Sequence, residues 1–308
     1  MVVKRVLIAG GTGFIGRHLV RALVERGDEV AVLSRSTESV ERVFGATVKA
    51  IAYDPFARGD WYEALNGVDA VVNLAGEQLV GKRLTSERKQ RVRQSRLETT
   101  HRLVEAIAEA DPRPAHLISA SGVGYYGAHE GNRALDEKSE PGSDPIARLC
   151  VEWEAAARRA EAYGVRVVCT RFGIVLASDG GALEQMARPF RLFAGGPIGS
   201  GEQVVSWVHI DDAVTMLLFT IDQPALAGPV NVVAPNPVTN AELARAIGRS
   251  LHRPSWLPAP GFALKLLFGA EGAAPILTGQ RAMPEVMRRH HFVWRYPHLD
   301  AALAQSLG

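Results

Sequence analysis

An apolar run, a group of glycines and an amphipathic segment follow one another near the start of the chain. Val6–Ala9 is apolar throughout, Gly10, Gly13 and Gly16 come next, and Arg17–Arg26 has a helical pattern. This order predicts a buried strand, a tight turn and a helix. Glycine suits such a turn because it tolerates positive φ and lets the backbone approach a pyrophosphate closely. The segment therefore predicts a dinucleotide-binding site, and a tight turn without a ligand is the alternative.

The N–H groups at the start of a helix attract phosphate, because they are unpaired and lie at the positive end of the helix dipole. We therefore expect the phosphates of a dinucleotide to lie against this turn. The residues expected to contact the cofactor here are Gly10, Thr12, Gly13, Phe14, Ile15 and Gly16.

Strand-like apolar runs alternate with helical patterns along the first part of the chain. The further runs are Val30–Leu33, Ala70–Leu74, His116–Ala120 and Val165–Thr170, and the helical segments between them are Trp61–Leu65, Ser86–Ala110 and Pro145–Tyr163. This alternation predicts an α/β fold with a Rossmann doubly wound parallel sheet.

Glycine and proline become more frequent after Gly173, which indicates a change of architecture. We expect a smaller C-terminal domain that binds substrate or closes over the cofactor. The expected Rossmann domain comprises residues 1–176 and about 207–233, and the expected smaller domain comprises residues 177–206 and 234–308.

Composition and charge argue against several classes of partner. The 308 residues include 35 basic and 33 acidic side chains, and a net charge of +2 gives no reason to expect nucleic acid. No apolar stretch reaches the roughly 20 residues of a membrane span, and the start of the chain does not resemble a signal peptide. Cys150 and Cys169 lie in apolar settings typical of reduced thiols. We expect a bacterial, cytoplasmic protein with a small-molecule substrate, no membrane partner and no metal; the oligomeric state stays open.

The end of the second strand indicates which nicotinamide cofactor is bound. NAD-binding proteins usually place Asp or Glu there, to accept a hydrogen bond from the ribose 2′-OH. This chain has Ser34, Arg35 and Ser36 instead. A guanidinium flanked by hydroxyls suits a 2′-phosphate, so we expect NADP(H) rather than NAD(H). The alternative is an ordinary surface arginine in a loop.

Short motifs in the chain resemble those of the extended short-chain dehydrogenases/reductases: Gly10–Gly16, Asn73–Gly76 and Ser119–Ser121. A closer resemblance is to the YfcH-like "epimerase family", whose members end in a C-terminal domain of unknown function. The resemblance implies an atypical member of the superfamily with a Rossmann fold and a nicotinamide cofactor, and it leaves the substrate open. The segments that carry it are Asn73–Glu77, Ser121–Gly127, Leu149–Cys150, Trp153–Glu154, Gly180–Leu183, Gly195–Gly199, Ser206–His209 and Gly279–Arg281.

The chain departs from the superfamily at the catalytic motif. Typical members follow the strand-end serine with Tyr-x-x-x-Lys, in which tyrosine is the general acid or base and lysine supplies positive charge. If Ser121 takes the serine place, Ile146 takes the tyrosine place and Cys150 the lysine place. Isoleucine has no titratable proton and a neutral thiol has no positive charge.

Other residues could replace the missing pair. Tyr125 and Tyr126 follow Ser121 in a glycine-rich loop, where either could donate a proton or could pack against the nicotinamide ring. Ser121 suits a hydrogen bond to substrate better than nucleophilic attack, because no His–Asp pair is evident to activate it. The candidate catalytic residues are therefore Ser121, Tyr125 and Tyr126. Glu77 is a candidate acid or base, or a ribose ligand.

Further cofactor contacts are expected at other strand ends. Ala75 and Gly76 are small enough for ribose and adenine to lie against the backbone. Asp54 could accept a hydrogen bond from the adenine amino group or could cap a loop. The resemblance implies main-chain contacts from Arg171 and Gly173 to the carboxamide.

Trp207 and His209 are the candidates for substrate contact in the later part of the chain, and a purely structural role is the alternative for His209. The sequence as a whole predicts an NADP(H)-dependent oxidoreductase or epimerase that acts on a small polar substrate, with a nucleotide-linked sugar as one candidate. The alternatives are an NADP-binding regulatory or interaction protein without turnover, and a reductase of a lipid-like substrate.

Overall fold

A computed structural model describes residues 3–79, 83–129 and 133–308 of the chain. Within this described part, the strands are β1 (Arg5–Ala9), β2 (Glu29–Ser34), β3 (Lys49–Ala52), β4 (Ala70–Asn73), β5 (His116–Gly122), β6 (Ala134–Leu135), β7 (Arg166–Phe172), β8 (Ile174–Ala177), β9 (Val204–Val205), β10 (Trp207–His209), β11 (Gly228–Val232), β12 (Val238–Thr239) and β13 (Arg281–Ala282). The α-helices are α1 (Phe14–Arg26), α2 (Thr37–Phe44), α3 (Ser86–Glu109), α4 (Pro145–Arg158), α5 (Gly181–Arg191), α6 (Ile210–Asp222), α7 (Asn240–Leu251), α8 (Gly261–Leu277), α9 (Glu285–Arg289) and α10 (Leu299–Leu307).

A seven-stranded parallel sheet forms the centre of the molecule, in the order β11-β7-β5-β4-β1-β2-β3. The chain starts at β1, moves outward to β3 and returns to β4 on the other side of β1. The α/β, doubly wound Rossmann prediction is therefore confirmed. Ligands of such sheets bind at the carboxyl ends of the strands where this reversal occurs, between β1 and β4.

Both faces of the sheet are buried, which explains why its strands are apolar without alternation. In β1, Val6 and Ile8 pack into one core together with α1 and α6. Leu7 and Ala9 pack into a second core on the opposite face, with α3.

The first helices agree with the sequence prediction apart from three differences. The helical segment predicted at Trp61–Leu65 is a 3₁₀ helix, Asp60–Leu65. α2 had not been predicted; the Ser36 side chain caps it by accepting from the Ser39 N–H, and only Val40 of this helix is buried. The predicted helix Pro145–Tyr163 is α-helical as far as Arg158 and then tightens into a 3₁₀ turn as far as Tyr163. A short helix with one buried residue leaves too weak an apolar pattern to be found in the sequence.

The C-terminal part has a smaller core of its own. Leu183 and Phe190 of α5 pack there with Leu243 and Ile247 of α7 and with Leu303 of α10. This confirms that a smaller C-terminal unit exists, while its exact boundaries stay a prediction.

The α8 helix is apolar but largely exposed. Phe262, Leu266 and Leu267 are among its exposed side chains. None of the helices in the described ranges is both long enough and apolar enough to cross a membrane.

Candidate functional site

The turn after β1 packs too tightly for side chains. Gly10 has a φ of 82°, and a Cβ there would lie 2.7 Å from the backbone carbon of Leu74. A Cβ on Gly16 would lie 2.2 Å from the carbonyl oxygen of Gly10. Glycine at both positions therefore lets β1, α1 and the end of β4 come together.

The start of α1 fits a phosphate group. Gly13 is the N-cap residue of α1, and no side chain caps the helix there. The first turn of this fully described helix contains no acidic residue. The N–H groups of Phe14 and Ile15 are thus available at the positive end of the helix dipole. Unpaired N–H groups at the start of a helix are typical partners of phosphate groups.

A second glycine turn, between β8 and α5, covers the start of α1. A Cβ on Gly181 would lie 2.6 Å from the ring of Phe14. The Asp179 carboxylate lies 3.0 Å from Arg17 Nη2 and 3.1 Å from His18 Nε2. Partial burial raises the pKa of Asp179, but the contacts with His18 and Arg17 outweigh burial and the pKa is lowered. These contacts were not predicted, because the turn is far away in sequence.

At the end of β2, the two serine hydroxyls are used within the turn. Ser34 Oγ donates to the carbonyl of Ser36 at 2.8 Å, and Ser36 Oγ donates to Glu38 at 2.7 Å while capping α2. Arg35 is exposed and makes no hydrogen bond or ion pair with any described residue. The predicted trio is therefore brought together, but its serine side chains mainly shape the loop and Arg35 alone is free to bind.

Asp54 lies beyond the end of β3 and is exposed. Its Oδ1 accepts from the Phe56 N–H at 2.9 Å, which is the loop-capping arrangement that had been the alternative to adenine binding.

The end of β4 lies beside the glycine turn. Leu74 N–H donates to the Ala9 carbonyl, and a Cβ on Gly10 would lie 2.8 Å from the Ala75 nitrogen. Ala75 and Gly76 are therefore close to the glycine turn after β1. Glu77 follows, with its N–H bonded to Ser95 Oγ at 3.0 Å.

A buried polar network lies at the ends of β5 and β7. Ser121 Oγ donates to Glu154 Oε1 at 2.7 Å, and the same carboxylate pairs with Arg171 through two contacts of 2.8 Å. Arg171 Nη1 donates to the Tyr126 hydroxyl at 3.1 Å, and that hydroxyl donates to Asn231 Oδ1 at 2.7 Å. The network joins β5, α4, β7 and β11.

Tyr126 does not fit its predicted role as a proton donor. Its side chain is 0 % exposed and its hydroxyl proton is directed to Asn231. Burial raises the pKa of Tyr126 to about 12. Tyr125 differs: it is only half-buried, its ring centre lies 3.4 Å from the Arg171 guanidinium carbon, and its hydroxyl bonds to no described residue.

The two residues at the positions of the missing Tyr-x-x-x-Lys pair cannot supply its proton donor or its positive charge. Cys150 is buried, and burial raises the pKa of its thiol to about 12, so the sulfur is neutral. Ile146 packs against Gly124: a Cβ on Gly124 would lie 2.8 Å from Cγ2 of Ile146.

Arg171 and Gly173 are both held in place by contacts within the fold. The Arg171 side chain is occupied by Glu154 and Tyr126, which leaves only its main chain for a cofactor contact. A Cβ on Gly173 would lie 2.6 Å from the carbonyl oxygen of Ser206, so glycine is needed for packing at this position.

The structure also places the two substrate candidates in the interior. Trp207 is 0 % exposed and donates from Nε1 to the Asn236 carbonyl at 3.0 Å. His209 is buried and caps α6, because its Nδ1 accepts from the Asp211 N–H at 3.2 Å. Burial lowers the pKa of His209. Both side chains are buried and bonded within the fold, and substrate contact at Trp207 or His209 stays a prediction.

Comparison with protein families decides the classification. Residues 6–233 match the NAD dependent epimerase/dehydratase family. The chain belongs to this family. Residues 259–306 match a domain of unknown function, DUF1731, which follows the epimerase/dehydratase domain here as the resemblance implied.

Relatives of this epimerase/dehydratase family member extend over nearly its whole length. A chloroplast homologue of the epimerase family protein SDR39U1 from Arabidopsis thaliana is 42 % identical over 301 residues, covering 97 % of this chain and 85 % of the relative. The human epimerase family protein SDR39U1, solved with NADPH, is 36 % identical with a TM-score of 0.87 and 98 % coverage of both chains. A nucleoside-diphosphate sugar epimerase from Corynebacterium glutamicum is 33 % identical with a TM-score of 0.79; the match covers 100 % of this chain and 59 % of that one.

The sequence prediction also missed the role of Glu154 in the buried polar network. Glu152 and Glu154 lie two residues apart on α4 and point in different directions: Glu152 pairs with the exposed Arg93, while Glu154 is buried. A signal was present in the sequence: Arg171 interrupts an apolar buried strand, and a buried cation requires a partner.

Proposed function

We propose that this member of the epimerase/dehydratase family binds NADP(H). The observation that carries the proposal is Arg35, an exposed cation at the end of β2 without a hydrogen-bond or ion-pair partner in the described part of the chain. A free guanidinium at this position suits a 2′-phosphate, with which it can form two parallel hydrogen bonds. The NADPH in the human relative, which is 36 % identical, supports the same choice.

The phosphate-binding part of the site fits such a cofactor. The N–H groups of Phe14 and Ile15 would hold the pyrophosphate, and Gly10 and Gly16 leave room for it to approach the backbone. When bound, the cofactor supplies or accepts a hydride, and the protein provides orientation and the movement of a proton.

We propose Tyr125 as the group that donates this proton. Its hydroxyl is the one in the Tyr125–Tyr126 pair that is not already bonded within the described chain. Ser121 directs its only hydroxyl proton to Glu154, so Ser121 can accept a hydrogen bond from a substrate but not donate one in this arrangement. The reaction we propose is hydride transfer at a carbon that carries a hydroxyl or carbonyl oxygen, in a small polar substrate such as a nucleotide-linked sugar. The name of the C. glutamicum relative supports this substrate class.

A second function is favoured by one specific observation. Ile146 and the neutral, buried Cys150 occupy the places of the usual tyrosine and lysine. A protein that binds NADP(H) without turnover would need neither of them. Under this alternative, Tyr125 is only a wall of the nicotinamide pocket.

Isotope transfer distinguishes the two functions. The protein would be incubated with deuterium-labelled NADPH and the keto forms of a panel of nucleotide-linked sugars, and separately with NADP+ and the sugars themselves; mass spectrometry would detect transferred label in the first case and oxidised or isomerised sugar in the second. An apolar aldehyde belongs in the panel because Phe262 and Leu266 leave α8 apolar and exposed.

We expect turnover with a polar substrate and a fall of about 100-fold in Tyr125→Phe, the usual size of a general-acid contribution. Tyr163→Phe is the matched control, since Tyr163 is exposed on the 3₁₀ turn after α4, and its rate should not change. Binding of NADPH without any reaction across the panel would favour the non-catalytic function.

A further inference from the structure

Arg96, on α3, is a half-buried cation that lacks a carboxylate partner. Its Nη1 donates to the Glu77 carbonyl at 2.9 Å and to the Val92 carbonyl at 3.1 Å. No carboxylate of the described residues lies within ion-pair distance, and Nε and Nη2 donate to no described atom. Burial lowers the pKa of Arg96, although the group remains a cation at neutral pH. Glu77 acts on this charge from beyond ion-pair distance, and three donor N–H bonds are left for a ligand.

The arginine is held at the end of β4. A Cβ on Gly76 would lie 3.5 Å from the Arg96 guanidinium carbon, and Gly76 follows the strand that borders the glycine turn. The cation thus lies beside the carboxyl edge of the sheet, where ligands of this fold bind.

A hydrogen-bond network fixes the position of Arg96. Its backbone carbonyl accepts from Thr100 Oγ1 at 2.7 Å. The same Thr100 oxygen accepts from Asn73 Nδ2 at 2.9 Å and from Trp153 Nε1 at 3.0 Å. The Arg96 guanidinium carbon also lies 5.0 Å from the centre of the Trp153 ring. The arginine is therefore oriented by contacts with β4 and α4 as well as with its own helix.

These contacts place Arg96 near the position where typical superfamily members have lysine. Trp153 is three residues after Cys150 on α4, so the two side chains share a helix face. Cys150 is neutral and brings no charge to this face. Arg96 reaches the same region from the neighbouring helix α3.

We infer that Arg96 supplies the positive charge missing at Cys150 and donates hydrogen bonds to the vicinal hydroxyls of the nicotinamide ribose. The inference rests on the proposed NADP(H) function. A guanidinium with free N–H groups suits a ribose diol because it can donate to both oxygens at once.

Comparing the affinities of two ligands distinguishes a contact with the nicotinamide ribose from a general effect of Arg96 on cofactor binding. NADPH contains the nicotinamide ribose, and adenosine 2′,5′-bisphosphate is the half of the cofactor that lacks it. Titration calorimetry with both ligands would compare the wild-type protein with Arg96→Met, which removes the charge but keeps a long side chain. Arg93→Met is the control, because Arg93 lies three residues earlier on α3 and pairs with Glu152 on the exposed surface.

We expect Arg96→Met to weaken NADPH binding about 10- to 100-fold and to leave adenosine 2′,5′-bisphosphate within about twofold. Arg96→Lys, and the double variant Arg96→Met/Cys150→Lys, should each recover at least about half of the loss on a logarithmic scale. Arg93→Met should change neither affinity.

Equal weakening of both ligands, or unchanged NADPH binding in correctly folded Arg96→Met, would overturn the inference and make Arg96 only a clip for the loop at Glu77. The thermal unfolding midpoint would show whether Arg96→Met folds correctly. If it does not fold, Arg96→Lys would be used as the test instead. Loss of selective NADPH binding in Arg96→Lys would then count against the inference. A wild-type protein that binds neither ligand would instead overturn the proposed function.

Discussion

Glu154 and Arg171 form a two-point ion pair inside the protein, with Nε–Oε1 and Nη2–Oε2 distances both of 2.8 Å. Their side chains are only 9 % and 2 % exposed. Burial opposes the charge on Arg171, but the contacts with Glu154 prevail and raise its pKa. The pair occupies the position between Ser121 and Tyr126, so it orients both the serine and the loop that carries Tyr125.

Removing the negative charge from this pair should strongly destabilise the fold. Glu154→Gln leaves the Arg171 cation buried without compensation, which typically costs about 3–5 kcal/mol. Urea unfolding would measure the loss. The comparison variant is Glu152→Gln, two residues away, where the partner Arg93 is exposed and the expected change is below about 1 kcal/mol. Equal losses in the two variants would show that the buried pair has no special importance.

Gly16 is expected to be essential to both the fold and the cofactor site. In Gly16→Ala the new methyl group would lie 2.2 Å from the Gly10 carbonyl oxygen, so the turn or the helix has to move. NADPH affinity should fall at least about tenfold, together with the unfolding midpoint. Gly164→Ala provides the contrast, because Gly164 has a φ of 79° but open space around its Cα. That variant should lose about 1 kcal/mol of stability and no NADPH affinity.

Acid should destabilise the protein through His209. As a cap for α6, its Nδ1 has to be unprotonated to accept from Asp211 N–H. Burial lowers its pKa from 6.5, and although Asp211 and Asp212 act in the opposite direction, burial prevails. A depressed folded-state pKa means that this contribution to stability is present above about pH 6.5 and is lost as the pH falls through the folded-state value.

The test compares free energies of unfolding near neutral pH and near pH 5. His209→Asn keeps a capping side chain but does not titrate, so stability should fall less with acid than in the wild type. Some loss should persist, because burial also lowers the pKa of His101 and His116. His252→Asn is the control, since His252 is exposed and has a left-handed backbone that asparagine tolerates. Identical pH profiles for wild type and His209→Asn would contradict this role of the imidazole.

Structural features that depend on residues adjacent in sequence could be predicted from the sequence. The strand, glycine turn and helix of residues 6–26 are consecutive, and each leaves a local pattern of apolar or small residues. The alternation of such units was enough to predict the parallel sheet. Arg35 could be found for the same reason, since its position relative to β2 is fixed by chain order.

The burial of individual side chains, and their pairing across elements, could not be predicted from local sequence patterns. Tyr125 and Tyr126 are adjacent and chemically identical, yet the turn after β5 directs only the second into the core. Trp207 and His209 have residue types typical of ligand contact, but both lie inside the protein. The pairing of Glu154 with Arg171 joins α4 to β7, and no local pattern specifies which charged residues meet across two elements.

The proposal that the free guanidinium of Arg35 selects NADP(H) can be tested by fluorescence titration with NADPH and NADH. Wild-type protein should bind NADPH tightly and NADH weakly. Arg35→Ala should lose about 1.5–3 kcal/mol of NADPH binding, roughly 10- to 150-fold, with little change for NADH. Arg21→Ala, at an exposed arginine on α1, should leave both affinities unchanged. Equal affinity for the two cofactors in the wild type, or an unchanged preference in Arg35→Ala, would contradict the claim.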